Sequence, residues 1–289
     1  MKHSYANESF VDLAYELVLR READAPAKRA AVAALEAHQL ERSDILRNLL
    51  ASREFEELAL VEQLVSSNRD GPFDSVEPVG PGMSERVIEI PWVLSRCRGA
   101  RSVLDIGYSH APAVYISVLA TMGIEALCGV DIVPRPVPGF HGVGADVRAL
   151  PFPRGCFDLL LCVSTLEHIG KDNTRYGDVP HDEGQGDRAA LEDMLRVLRP
   201  GGRLLVTVPF GLAEDHGWFR QYDATGWDAL LAGLPASTSH ESAYKLTGVG
   251  WNRCPSRGDL ALCRYGEGAP GATSLLCVEL TRWEYEGAA

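Results

Sequence analysis

The chain has 289 residues, of which 46% are hydrophobic and 24% charged, the proportions of a folded globular protein with room for one large core or two smaller ones. These proportions exclude disordered, collagen-like and coiled-coil classes. The 28 Lys and Arg against 40 Asp and Glu give a formal charge of -12. That balance disfavours a phosphate backbone or an anionic lipid surface, so no nucleic acid and no membrane is expected as partner.

Met1 to Phe10 are polar and carry no apolar leader, and no 18-residue run is free of charge or proline. Residues 8–65 read as short helices. Phe10, Leu13, Ala14 and Leu17 recur at helical spacing, Asp24-Ala25-Pro26 makes a break, and Ala30 to Leu40 is rich in helix formers. Ser43 is placed to cap a third helix, and Ser52 a fourth through Phe55, Leu58 and Val61. The runs "FVDLAYELVLRREAD" and "SDILRNLLASREF" resemble a small helical domain of unknown function that often accompanies glycosyltransferases and surface-polysaccharide enzymes. The expected division is therefore a helical domain at 1–65, a linker at 66–82 and a main domain at 83–289. The helical part is read as an appendage that packs on the main domain or makes a homodimer.

Ser84 starts a helix that Pro91 interrupts or kinks. From residue 101 strands and helices alternate. "SVLDIG", "ALCGVDI", "GVGADV", "FDLLLCVST", "RLLVTVP" and "LLCVELTRW" read as strands; Ala111 to Met122, Asp187 to Leu198 and Ala224 to Ala232 read as helices. Such alternation implies an α/β doubly wound, mostly parallel sheet.

Ligands bind such sheets beyond the carboxyl ends of the strands. The first strand ends at Asp105-Ile106-Gly107, where a glycine permits a tight turn. The second ends at Asp131, where an acid can accept from a ribose diol. Both features indicate an adenosine-containing cofactor. A nicotinamide site wants Gly-x-Gly-x-x-Gly for the pyrophosphate, but Gly107 is followed by Tyr108, Ser109, His110, Ala111 and Pro112. Asp105 would repel a phosphate and suits an amino group.

The blocks "VLDIG", "GVDI", "GADVRALPFPRGCFDLLLCVSTLEHIG" and "LEDMLRVLRPGGRLLVTVPFG" resemble the class I S-adenosylmethionine-dependent methyltransferases over roughly residues 83–289. The resemblance implies a Rossmann-like, seven-stranded sheet. It implies Asp105 and Gly107 on the methionine side, with the Tyr108–His110 loop (Tyr108, Ser109, His110) closing over it. It further implies Asp131 on the ribose, Ile132 on the adenine, Asp146 with Val147 at the adenine amino group, and Ser164 near the sulfonium. One departure stands out: the family places two or three glycines in the first loop, and here only Gly107 remains.

A hydroxyl acceptor needs its proton removed, and His168, four residues past Ser164, is the candidate base. His181 with Asp182 and Glu183 offers donors for an acceptor or for Mg2+. His216, Trp218, Arg220 and Tyr222, in "EDHGWFRQYD", interleave aromatic and polar groups as a substrate wall would, and Trp251 is a second wall. Cys254, Cys263 and His240 make half a metal site without a second tight pair, so no metal ligand set is assigned. The seven scattered cysteines fit a reduced, cytoplasmic setting. The reading is methylation of a small molecule, at a hydroxyl of a sugar or natural product, with S-adenosylmethionine as donor and S-adenosylhomocysteine as product. N-methylation of an amino sugar and a non-catalytic binding protein on the same fold are the alternatives.

Overall fold

A computed structural model describes residues 2–68, 71–74, 77–174, 186–269 and 271–284. Four helices open the chain: α1 (Lys2–Leu19), α2 (Ala25–Glu36), α3 (Arg42–Leu50) and α4 (Arg53–Ser67). Asp24 caps α2 by accepting from the Ala27 amide at 2.8 Å, so the Asp24-Ala25-Pro26 break is a helix start. Ser52 caps α4 through the Phe55 amide at 3.2 Å, as its position in the sequence implies. Ser43 does not cap α3. That helix begins one residue earlier, and the Asp44 carboxylate accepts the Glu41 amide at 2.8 Å instead.

Val11, Ala14, Leu19, Val32, Leu35, Ile45 and Leu49 form a small core of their own, while Leu13 and Leu17 of α1 face outward. α4 belongs to two cores. Phe55 packs on this helical cluster, and Leu58 and Val61 enter the main core beside α5 (Arg86–Arg96). Described residues between α4 and α5 are tied to the main core. Phe73 is buried, its amide donates to Ser95 Oγ at 2.8 Å, and Val79 bridges to Trp251. α5 runs through Pro91 without breaking. Val87, Ile88, Ile90, Trp92, Val93 and Leu94 are all buried around it, which outweighs the ~3 kcal/mol that an interior proline costs.

The main sheet contains β1 (Ser102–Ile106), β2 (Ala126–Asp131), β3 (His141–Gly144), β4 (Phe157–Val163) and β5 (Leu198–Pro209). β6 (Glu214–Asp215) and β7 (Arg220–Gln221) form a separate hairpin, and β8 (Ala236–Thr247), β9 (Gly250–Cys254) and β10 (Ser274–Arg282) complete the sheet. The order is β3-β2-β1-β4-β5-β10-β8-β9, with the first five parallel and the last three antiparallel. Among the described residues this sheet has eight strands, one more than expected, because the residues of β9 pair as an edge strand.

α6 (Ala113–Thr121) and α5 cover one face; α7 (Gly186–Val197) and α8 (Ala224–Leu231) cover the other. Side chains alternate between the faces: Leu159 and Leu161 join the first layer, Leu160 and Cys162 the second. Strands buried on both sides read as continuous apolar runs for this reason. Strand order runs outward from β1 through β2 to β3 on one side, and from β4 to β5 on the other. The crevice for a ligand therefore lies above the β1–β4 junction. No described helix is long and apolar enough to cross a membrane.

Candidate functional site

A cavity of about 230 Å³ opens at that crevice. Its wall follows the carboxyl ends of four neighbouring strands: Ala145 to Arg148 after β3, Val130 to Ile132 at β2, Asp105 to Gly107 at β1, and Val163 to Thr165 at β4. Four strands at ~4.8 Å spacing give a row roughly 14 Å long. Arg86, Ile90 and His168 close the β4 side.

At β1, Gly107 has φ 81°, and its amide donates to Val130 O at 2.8 Å. An added Cβ would lie 2.6 Å from Thr165 Oγ1, so no larger residue fits the turn. Asp105 is almost fully buried. Burial, with a smaller contribution from Asp131, pushes its carboxyl up to about 8 against the pull of the Tyr115 hydroxyl. Asp105 Oδ2 and the Tyr115 hydroxyl lie buried without a well-formed hydrogen bond. A buried carboxyl on a cavity wall with one oxygen not fully engaged has room for a further donor.

At β2, Asp131 accepts the Ser109 amide at 3.2 Å and the Val133 amide at 3.0 Å, which orients the carboxylate. Ile132 stays exposed beside it. After β3, Asp146 is fixed by the Arg148 amide at 2.8 Å and by an ion pair with the Arg148 guanidinium at 2.5 Å, while Val147 is buried next to it.

The Tyr108–His110 turn corrects one expectation. Only His110 of this loop lines the cavity, and burial lowers its pKa. Tyr108 turns down instead. Its ring stacks on Phe140 and its hydroxyl donates to Arg135 O at 2.7 Å. Ser109 is buried, and its Oγ accepts from the Arg135 amide at 3.2 Å. The space this takes comes from glycines in the strands below, since Cβ atoms on Gly129 and Gly142 would meet the Tyr108 ring and hydroxyl at 2.6 and 2.3 Å.

At β4, Ser164 adopts φ 42°, a left-handed conformation that a serine rarely takes. Its amide donates to Thr207 Oγ1 at 3.0 Å and its Oγ to Glu89 Oε2 at 2.7 Å. Thr207 Oγ1 donates to the same oxygen at 2.8 Å, and Arg86 donates to Glu89 Oε1. Glu89 thus joins α5, β4 and β5 at one buried point. Arg86, Glu89, Tyr115 and Thr165 were absent from the sequence-based site. The available signal was a charge, Glu89, set inside the apolar run of α5.

His168 lines the cavity. Its Nδ1 lies 3.0 Å from Trp218 O, and its ring stacks on Trp218 with centroids 5.0 Å apart. A carbonyl oxygen only accepts, so Nδ1 carries a proton. His216, Trp218, Arg220 and Tyr222 are not among the described residues that line this cavity. Arg220 donates to Asp187 at 2.8 Å and to Ile169 O at 3.2 Å, and the Tyr222 hydroxyl donates to Asp187 at 3.0 Å. His216 stacks on Phe219 at 4.4 Å. These groups brace the loop that carries His168.

Trp251 is fully buried and donates its indole N–H to Met83 O at 3.0 Å, so it is core and not a wall. His240 meets Ser242 at 2.9 Å and Asp74 at 3.4 Å, not a metal pair with Cys254 and Cys263. His181, Asp182 and Glu183 lie outside the described residues, and among the described residues no cluster of three metal-ligating side chains occurs.

Residues 104–206 match the family described as "Methyltransferase domain", and residues 1–59 match "Domain of unknown function (DUF4214)". A ubiquinone/menaquinone biosynthesis C-methyltransferase UbiE of Pseudomonas putida is 31% identical over 163 residues, 52% of this chain and 57% of the relative. The chain thus spans little more than half the length of that curated relative. The UbiE of Hahella chejuensis is 29% identical over 63% of this chain and 75% of its own. Among solved structures, the 1,6-didemethyltoxoflavin-N1-methyltransferase of Burkholderia thailandensis, with bound 1,6-didemethyltoxoflavin and S-adenosylhomocysteine, is 15% identical. It covers 91% of this chain and 93% of its own, with a TM-score of 0.44.

Proposed function

We propose that this chain, whose residues 104–206 match a methyltransferase domain, is a class I S-adenosylmethionine-dependent methyltransferase that transfers a methyl group to a small molecule, at a hydroxyl of a sugar or natural product. The observation that carries this reading is Asp105, a buried acid at the end of β1 and on the wall of the cavity, with one oxygen not engaged by a well-formed hydrogen bond. It suits the α-ammonium of the cofactor. Asp131, already oriented by two amides, keeps lone pairs for the ribose hydroxyls. Exposed Ile132 and buried Val147 suit the faces of an adenine.

S-adenosylmethionine, when bound, supplies a methyl carbon activated by a positively charged sulfur. The protein's task is then to align the acceptor and remove its proton. His168 fits the second part, because it lines the cavity and its ring is positioned by Trp218 O at Nδ1. C-methylation of a hydroxylated ring is the second reading, favoured by the names of the relatives. It too begins with an ionised hydroxyl, so the same histidine serves; the position of the methyl group in the product, read by carbon NMR, separates the two.

Calorimetric titration with S-adenosylhomocysteine, with and without Mg2+, tests the reading. Micromolar binding in both conditions is expected; no binding in either overturns it.

A further inference from the structure

The β4 side of the cavity holds a cation that the cofactor side does not use. Arg86 lines the cavity together with Ile90, and 33% of its side chain is open. Glu89 takes one of its nitrogens and, through Ser164 and Thr207, pins it beside the ends of β4 and β5. It therefore lies on the side of His168 and away from Asp131 and Asp146. Among the described residues no hydrogen-bonding partner meets the remaining guanidinium N–H groups. Glu85 and Glu167 lie near it, each with an Oε2 that is buried and unpartnered. Burial raises both carboxyls toward their neutral form, so they leave the Arg86–Glu89 pair intact.

We propose that Arg86 recognises the acceptor, holding one of its oxygens as an oxyanion, and that the acceptors are phenols or enols rather than amines. The inference rests on the methyltransferase reading of the same cavity. A guanidinium offers a planar fork to an oxyanion and repels an ammonium group. A base on the same wall, His168, suits a hydroxyl that ionises readily. The apolar part of the same lining, from Ile90, Ala111, Pro112 and Ile169, suits a flat ring.

The test uses the full-length protein saturated with S-adenosylhomocysteine and two probes, 4-nitrophenol and 4-nitrobenzylamine. The wild-type complex is expected to bind 4-nitrophenol as its yellow phenolate, at a pH where the free phenol is still largely protonated, and to bind the amine more weakly. Arg86→Gln should abolish the spectral shift and weaken phenolate binding about tenfold or more, the loss of one charge-assisted hydrogen bond. Arg86→Lys should keep part of both effects. S-adenosylhomocysteine affinity, measured on each variant, reports that the fold and the cofactor side survive. If Arg86→Gln loses that affinity, Arg86→Lys decides. The inference is overturned if phenolate binding is unchanged in the deciding variant, if the wild type prefers the amine, or if it binds no nitrophenol. In those cases S-adenosylhomocysteine binding still upholds the methyltransferase reading. Failure of the wild type to bind S-adenosylhomocysteine removes both.

Discussion

The Tyr108 ring lies against Gly129, so close that a Cβ on that glycine would come within 2.6 Å of it. The bulky first loop is accommodated by a cleared strand face below it. Gly129→Ala should therefore destabilise the protein by about 1–3 kcal/mol, the usual cost of overpacking. Adding Tyr108→Ala should recover part of that loss. Urea unfolding of the two single variants and the double variant measures the coupling; additive effects would refute the relationship.

Asp105 links stability to pH. Its carboxyl is raised to about 8 in the folded protein, mainly by burial, and titrates near 4 when unfolded. Between those values the folded state holds a proton that the unfolded state has lost. Unfolded-state binding minus native-state binding is negative, so stability falls as pH rises, by up to about 1.4 kcal/mol per pH unit. Asp105→Asn, neutral throughout, should gain on the wild type from pH 5 to pH 8 and no further above it. Denaturant midpoints across that range check this.

The same carboxyl should give up its proton when an ammonium group settles beside it. Binding of S-adenosylhomocysteine at pH 7 is expected to release close to one proton in the wild type and none through this group in Asp105→Asn. Calorimetry in buffers of different ionisation enthalpy reads the difference. Equal release in both proteins would detach Asp105 from the amino group.

His168→Gln should lower turnover about 10²–10⁴-fold, as expected when a general base is removed. Affinity for S-adenosylhomocysteine should stay the same. An acceptor methylated equally well by the variant would have arrived already deprotonated, as a neutral amine would.

α4 ties the N-terminal helices to the main core through Leu58 and Val61. Leu58→Ala is expected to cost about 2–5 kcal/mol of main-domain stability. Removing residues 1–50 should be milder than removing 1–65, because only the longer deletion strips α4 from the sheet domain. Thermal unfolding of the three proteins gives the order.

The central strands were legible because burial on both faces leaves a continuous apolar run, seen in β1 and β4. Asp105, Gly107 and Asp131 were legible because strand ends and a glycine turn mark where a ligand comes. β8 was not: Ala236 to Thr247 is largely polar, as one exposed face of an antiparallel strand should be. Composition alone does not place "EDHGWFRQYD". Aromatic and polar residues line a cavity or brace a loop with the same letters, and only the contact of Arg220 and Tyr222 with Asp187 decides. Arg86 and Glu89 reach the site only through the packing of α5 on the sheet.

Arg86 and Ile90 precede the stretch that matches the methyltransferase domain, residues 104–206. The cavity is therefore lined both from within that stretch and from the helix before it. An exchange confined to α5 would alter the wall at Arg86 and Ile90 while leaving the strand ends that carry Asp105, Asp131 and Asp146 as they are.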